Sequence, residues 1–174
     1  MNNKPKILYE KYKELVFNVA LHYTQNIEDA EEITQDVFIS IFENIKDFRE
    51  ESTLKTWAYR ITINKSLDFL KSKKRLKRIF FFKSLKIDDQ EKKISIPEIN
   101  HPGVILENKE SVNAIFNGIN KLPPKLKTVI ILLKIEGRSQ KETAKIMQLS
   151  VKAIESLFHR AKKKLAVILK DNER

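Results

Sequence analysis

The sequence predicts an all-α protein of two small helical domains joined by a flexible linker, with a helix-turn-helix in the second. Three observations point there. The 174 residues hold only three glycines (Gly103, Gly118, Gly137), with little of the apolar–polar alternation that strands require. Apolar residues recur instead by threes and fours. Between Ile87 and Gly103 that period dissolves into D-D-Q-E-K-K and I-S-I-P-E-I-N-H-P-G, a charged stretch with two prolines that reads as a linker. The expected division is therefore 1–86, 87–103 and 104–174.

Leu8, Tyr12, Leu15, Val19 and Tyr23 describe a first amphipathic helix. Asn26 caps a second, with Glu28 and Asp29 near its positive end. Its apolar face is Ile27, Ala30, Ile33, Val37, Phe38, Ile41, Phe42 and Ile45, and the face opposite holds Glu31, Glu32, Gln35, Asp36 and Glu43. Asp47 to Thr53 is a polar break, and Ser52 or Thr53 caps a third helix with Leu54, Trp57, Ala58 and Ile61 inward. Lys55, Arg60, Asn64 and Lys65 lie on its exposed side. Trp57 reads as core, whereas Phe48, on the loop before the helix, is the better candidate to touch a base. Lys71 to Lys86 then carries eight basic residues and no acidic one.

Beyond the linker, Val112, Ile115, Phe116, Ile119 and Leu122 form another helix face. Pro123-Pro124 ends it, and Pro124 suits the first turn of the next helix. That helix, Lys125 to Ile135, is apolar nearly all round and reads as the buried centre of a four-helix domain, closed by Gly137. Ser139 with Glu142 makes a capping box for a short helix. Gln148-Leu149 break the pattern, and Ser150 caps a last helix with Val151, Ile154, Leu157, Phe158, Ala161 and Leu165 inward. Lys152, Glu155, Ser156, His159, Arg160 and Lys163 face out, as a recognition helix in a DNA major groove would present them. An amphipathic hairpin with a merely solvated face is the competing reading of this stretch.

Charge separates the two ends. The net charge is +11, yet residues 1–70 carry 9 Lys/Arg against 12 Asp/Glu, while residues 121–170 carry 13 against 3. A basic rear calls for an anionic partner, most simply nucleic acid, and an acidic front for a different one. There is no cysteine, which excludes disulfides and thiolate chemistry and fits a reducing cytosol. No signal peptide and no apolar run near the ~20 residues of a membrane span are present, so a soluble intracellular protein is expected. His22, His101 and His159 share no site, and neither a metal-ligand spacing nor a phosphate-cradling glycine loop occurs. The expectation is a binding protein with no cofactor and no metal, not an enzyme.

D-A-E-E-I-T-Q-D-V-F-I-S-I-F (Asp29–Phe42) resembles the core-polymerase-binding helix of bacterial sigma-70-like RNA polymerase sigma factors of the extracytoplasmic-function (ECF) type. F-R-E-E-S-T-L-K-T-W-A-Y-R-I-T-I-N-K-S-L-D-F-L (Phe48–Leu70) is similar to the same family's loop and helix that open and read the promoter −10 element. L-P-P-K-L-K-T-V-I-I-L-L (Leu122–Leu133) and the helix-turn-helix through Leu165 resemble its −35-reading domain. The resemblance covers most of the chain apart from the linker and the ends.

It implies that Glu31, Glu32, Gln35 and Asp36 dock on the clamp coiled coil of core RNA polymerase. It implies that Phe48, Arg49, Ser52 and Thr53, with Asn64 behind, capture a flipped −10 base, while Arg60 and Lys65 hold backbone phosphate. Flipping costs a few kcal/mol, and stacking returns ~1–3 kcal/mol per base, so melting without polymerase would be inefficient. Lys152, Ser156, His159, Arg160 and Lys163 would meet −35 base edges or nearby phosphates, with Lys162 and Lys164 gripping backbone. The linker would run through the polymerase cleft, and an anti-sigma factor is an implied partner, with no membrane insertion. Two residues depart from the family pattern: Gln148 stands where the turn usually has glycine, and Glu155 puts a carboxylate on the reading helix. A stand-alone helix-turn-helix regulator binding duplex DNA as a dimer is the alternative, and a module binding RNA nonspecifically is a third. The dimer has no use for the acidic helix.

Overall fold

The structure, a computed structural model, describes residues 4–48, 53–84 and 109–172. Its helices are α1 (Lys4–Thr24), α2 (Ile27–Asn44), α3 (Leu54–Ser84), α4 (Lys109–Asn120), α5 (Pro124–Ile130), α6 (Gln140–Met147) and α7 (Val151–Asn172). No strand occurs among the described residues. The linker expected over 87–103 lies outside them, as do Arg49 and Ser52.

Local chemistry sets the helix ends. Asn26 Oδ1 accepts from Asp29 N at 2.7 Å, starting α2. Of the two candidate caps for α3, Thr53 accepts from Thr56 N at 3.2 Å. Ser139 and Glu142 close the reciprocal capping box of α6, and Ser150 Oγ accepts from Ala153 N at 3.2 Å to begin α7. Pro124 sits in the first turn of α5, where its missing N–H costs nothing. The chain then widens into a π turn over Ile131–Ile135, with Glu136 N donating to Ile131 O at 2.9 Å. Gly137, at φ 62°, ends it.

The helix α3 is longer than its apolar stripe. It runs through the basic segment to Ser84, because no glycine or proline falls between Leu54 and Ser84 and Lys, Arg and Leu favour helix. Lys73, on this extension, pairs with Asp29 and ties α3 to the start of α2.

Helices α1, α2 and the first half of α3 pack as a three-helix bundle around Val16, Ala20, Ile33, Val37, Phe38, Ile41 and Ala58. Four residues expected inside are open to solvent instead: Ile27 at 40%, Phe42 at 37%, Ile115 at 45% and Val151 at 36%. Ile27 and Val151 begin their helices, where no preceding turn covers a side chain. Phe42 lies at the bundle rim beside Phe38.

The second core is not confined to α4–α7. Val19 and Tyr23 of α1 and Tyr59 and Ile63 of α3 join the same apolar cluster as Phe116, Ile119, Leu126, Val129, Ile131, Leu132, Ile154 and Ala161. The two bodies therefore meet directly. The stripes of α1 and α3 are wider than the first bundle needs, and the surplus is buried against the second, at roughly 1.5–3 kcal/mol for each large side chain covered.

Candidate nucleic-acid interface

The helix α7 buries Ile154 and Ala161 completely, and this orientation leaves Lys152, Ser156, His159, Arg160 and Lys163 exposed. Glu155 is exposed on the same surface and makes no ion pair among the described residues. Pairing with neighbouring lysines therefore does not occupy it. Lys134 and Lys162 place their ammonium groups 5.4 and 5.0 Å from the centre of the Phe158 ring, which holds two cations beside α7.

The turn entering α7 is left-handed at Gln148, with φ 54° and ψ 45°. Leu149 N donates to Ala144 O at 3.0 Å, so the turn keeps the hydrogen bonds of a helix C-terminus without glycine. The strain of ~1–2 kcal/mol that a side chain meets there is real in this chain.

On α2, Glu31, Glu32, Gln35 and Asp36 are all exposed. Glu31 and Gln35 border an open groove of about 400 Å³ shared with Tyr9, Lys13, Glu14, Phe17 and Thr34. Exposed Tyr9, Ile39 and Phe42 are apolar residues of the same two helices. A surface mixing carboxylates with large apolar groups suits a protein partner better than a polyanion.

The residues expected at the −10 element divide. The Phe48 ring lies 5.1 Å from Trp57, tilted 40°, so Phe48 is half-buried on the indole and Trp57 is partly covered core. Thr53 is exposed but spends its hydroxyl on capping α3. Asn64 is exposed and Lys65 half-buried on α3. Arg60 reaches the other body: its Nη2 donates to Lys145 O at 2.8 Å, while its Nε is buried with no hydrogen-bond partner. Arg60 and Asn64 line a cleft of about 230 Å³ with Lys125, Thr128, Met147, Gln148 and Leu149. Two residues expected at the −10 element and the turn before α7 thus line one cleft.

Sequence reading missed the polar groups at this seam. Tyr23 OH donates to Thr128 Oγ1 at 2.6 Å, and burial lifts the Tyr23 hydroxyl well above its ordinary value. Lys127 Nζ donates to Tyr23 O at 2.9 Å and Asn120 Oδ1 at 2.6 Å, and burial pulls its ammonium down to about 8. Tyr59 OH donates to Glu136 Oε2 at 2.8 Å, and His22 Nε2 lies 3.2 Å from Glu136 Oε1. Burial works to raise the Glu136 carboxyl, but the hydrogen bonds from His22 and Tyr59 outweigh it and hold it below the usual range. The one signal in the sequence was Lys127 itself, a lysine inside an otherwise apolar helix.

Among the described residues no group of three or more His, Cys, Asp or Glu could hold a metal ion. No helix there is long and apolar enough to cross a membrane.

Two family patterns match the chain in order: sigma-70 region 2 over residues 8–76 and sigma-70, region 4, over residues 113–165. The ECF RNA polymerase sigma factor SigW of Bacillus subtilis is 29% identical over 164 residues, covering 92% of this chain and 86% of the relative. The ECF RNA polymerase sigma-E factor of Escherichia coli K12 is 26% identical over 156 residues, covering 90% and 81%. Two solved structures share the fold at a TM-score of 0.64. One is the sigma factor RpoE in complex with the anti-sigma factor NepR from Bartonella quintana, at 20% identity over 97% of this chain and 98% of that one. The other is CnrH in complex with the cytosolic domain of CnrY, at 21% identity over 96% and 88%.

Proposed function

Because the chain belongs to the ECF branch of the sigma-70 family and is an RNA polymerase sigma factor, we propose the following division of labour within it. Residues 1–86 dock core polymerase through Glu31, Glu32, Gln35 and Asp36 and meet the −10 element through Phe48, Arg49, Ser52, Thr53, Arg60, Asn64 and Lys65. Residues 104–174 meet the −35 element through Lys152, Ser156, His159, Arg160 and Lys163, with 87–103 connecting them. The observation that carries this reading is the opposite charge of two exposed helix faces, acidic on α2 and basic on α7. A carboxylate face toward DNA would be repelled by phosphate, whereas the α7 face attracts it with a salt-dependent, sequence-independent share of affinity. Arg160 and Ser156 supply the donors a base edge can select, and Glu155 can accept from a cytosine amino group.

The protein works by binding and not by catalysis, in the cytoplasm and on the nucleoid when it is part of holoenzyme. A protein partner of the anti-sigma class is part of the proposal, supported by the complex in which the similar RpoE was solved.

The docking assignment is tested by recovering core polymerase with the wild type and with a Glu32→Lys/Asp36→Lys variant. The variant should recover severalfold less polymerase while binding duplex DNA as before. Equal recovery would overturn the role given to α2.

A further inference from the structure

We infer that the end of α3, past Leu70, is an arm that lies on anionic lipid membrane, with Leu76 and Ile79 at the acyl boundary and its lysines and arginines among the headgroups. This arm is separate from the residues given roles on α2, at the −10 element and on α7.

Leu70 is the last described residue of α3 that packs against either core. The helix continues to Ser84, and from Lys71 to Ile79 every residue is exposed except Lys73, which holds Asp29. Six of those nine residues are basic and none is acidic. Lys71, Lys74, Arg75, Lys77 and Arg78 make no ion pair among the described residues. At about 100° per residue, Lys71, Lys74, Lys77 and Arg78 share one side of the rod. Leu76 and Ile79, 49% and 51% exposed, lie together on the other side with Ser72, and Arg75 flanks them.

This two-sidedness identifies the partner. Five unpaired cations on one short rod repel one another, and an anionic surface relieves that repulsion. Nucleic-acid phosphate supplies the charge but leaves Leu76 and Ile79 in water. An anionic bilayer answers both faces, since the headgroups take the cations and the acyl boundary covers the apolar pair. The sequence then continues as Phe80-Phe81-Phe82 followed by Lys83, a composition suited to the same boundary.

No described helix is long and apolar enough to cross a bilayer, so the arm lies along the surface. Lysine and arginine stems on the far side are long enough to bend their charged ends back to the headgroups. The Lys73–Asp29 pair fixes the root of the arm to the start of α2, so a bound arm carries the helical bundle to the membrane with it.

Flotation of the full-length protein with lipid vesicles tests the arm. Vesicles of mixed phosphatidylglycerol and phosphatidylcholine should carry the protein at low salt and release it at high salt, and phosphatidylcholine alone should not carry it. Leu76→Gln/Ile79→Gln keeps every charge and should weaken flotation about tenfold, with affinity for duplex DNA unchanged. Lys74→Gln/Arg75→Gln should weaken flotation by more than about tenfold. All four side chains are exposed and glutamine favours helix, so helix content should match wild type in both variants. Equal flotation of the apolar variant overturns the inference, because charge alone, on α3 or on α7, would then hold the vesicle. It is also overturned if wild type does not float with anionic vesicles, or if the apolar variant loses duplex DNA binding as steeply as lipid, which would make nucleic acid the arm's partner.

Discussion

Gln148 shows how a residue with a side chain can hold a turn that favours glycine. The turn between α6 and α7 requires the left-handed conformation, and Gln148 adopts it at φ 54°. Gln25 does the same between α1 and α2, at φ 57°. Replacing Gln148 by glycine removes ~1–2 kcal/mol of steric strain but returns ~0.4–1 kcal/mol through the freer unfolded chain. Gln148→Gly should therefore stabilise the protein by about 1 kcal/mol, read as a higher urea midpoint at constant m-value. A lower midpoint would mean that the Gln148 side chain makes a contact in the cleft worth more than the strain. The strain was legible in the sequence as a missing glycine. Whether the turn would yield or the backbone would hold was not, because that depends on Ala144 and Lys145 offering their carbonyls.

At the scale of elements, caps and stripes were legible because they are local. Asn26, Thr53, Ser139 with Glu142, Ser150, Pro124 and Gly137 each act within about one turn. The close approach of α4 to α7 was not legible. A Cβ on Gly118 would sit 2.9 Å from Leu165 Cδ1 and 3.0 Å from Leu169 Cδ2, so this glycine is where α7 lies down on α4. Alanine there gains about 1 kcal/mol of helix propensity but forces the Leu165 and Leu169 side-chain ends to shift, and Gly118→Ala should be nearly neutral. Gly118→Leu has no such room and should cost ~1–3 kcal/mol, with the loss seen in chemical unfolding. A leucine variant as stable as wild type would show that α4 can stand off from α7 freely. The length of α3 is a second feature the periodicity understated, since the helix runs on to Ser84 through the basic segment after Leu70.

For the whole molecule, the seam makes stability depend on pH through Lys127. Burial brings its ammonium from 10.5 down to about 8. Between those values the unfolded chain binds a proton that the native chain does not, so stability rises with pH across that window and is lowest below it. From pH 7 to pH 9 the gain is about 1 kcal/mol for this shift. Above pH 10 the sign reverses, because the buried Tyr23 and Tyr59 hydroxyls keep protons that the unfolded chain gives up. Urea unfolding at pH 7 and pH 9 should show the rise in wild type and its absence in Lys127→Met. An equal rise in the variant would place the titration elsewhere.

Helix positions, their caps, the acidic front and basic rear, and the order of the two family regions were all determined by the sequence alone. Each depends on residues a few positions apart or on plain composition. The direct meeting of the two bodies was decided only in three dimensions. Tyr59 and Glu136 are 77 residues apart, and Tyr23 and Thr128 are 105 apart. A stripe states that a tyrosine is buried but not against what, because period is a property of one helix and a seam belongs to two.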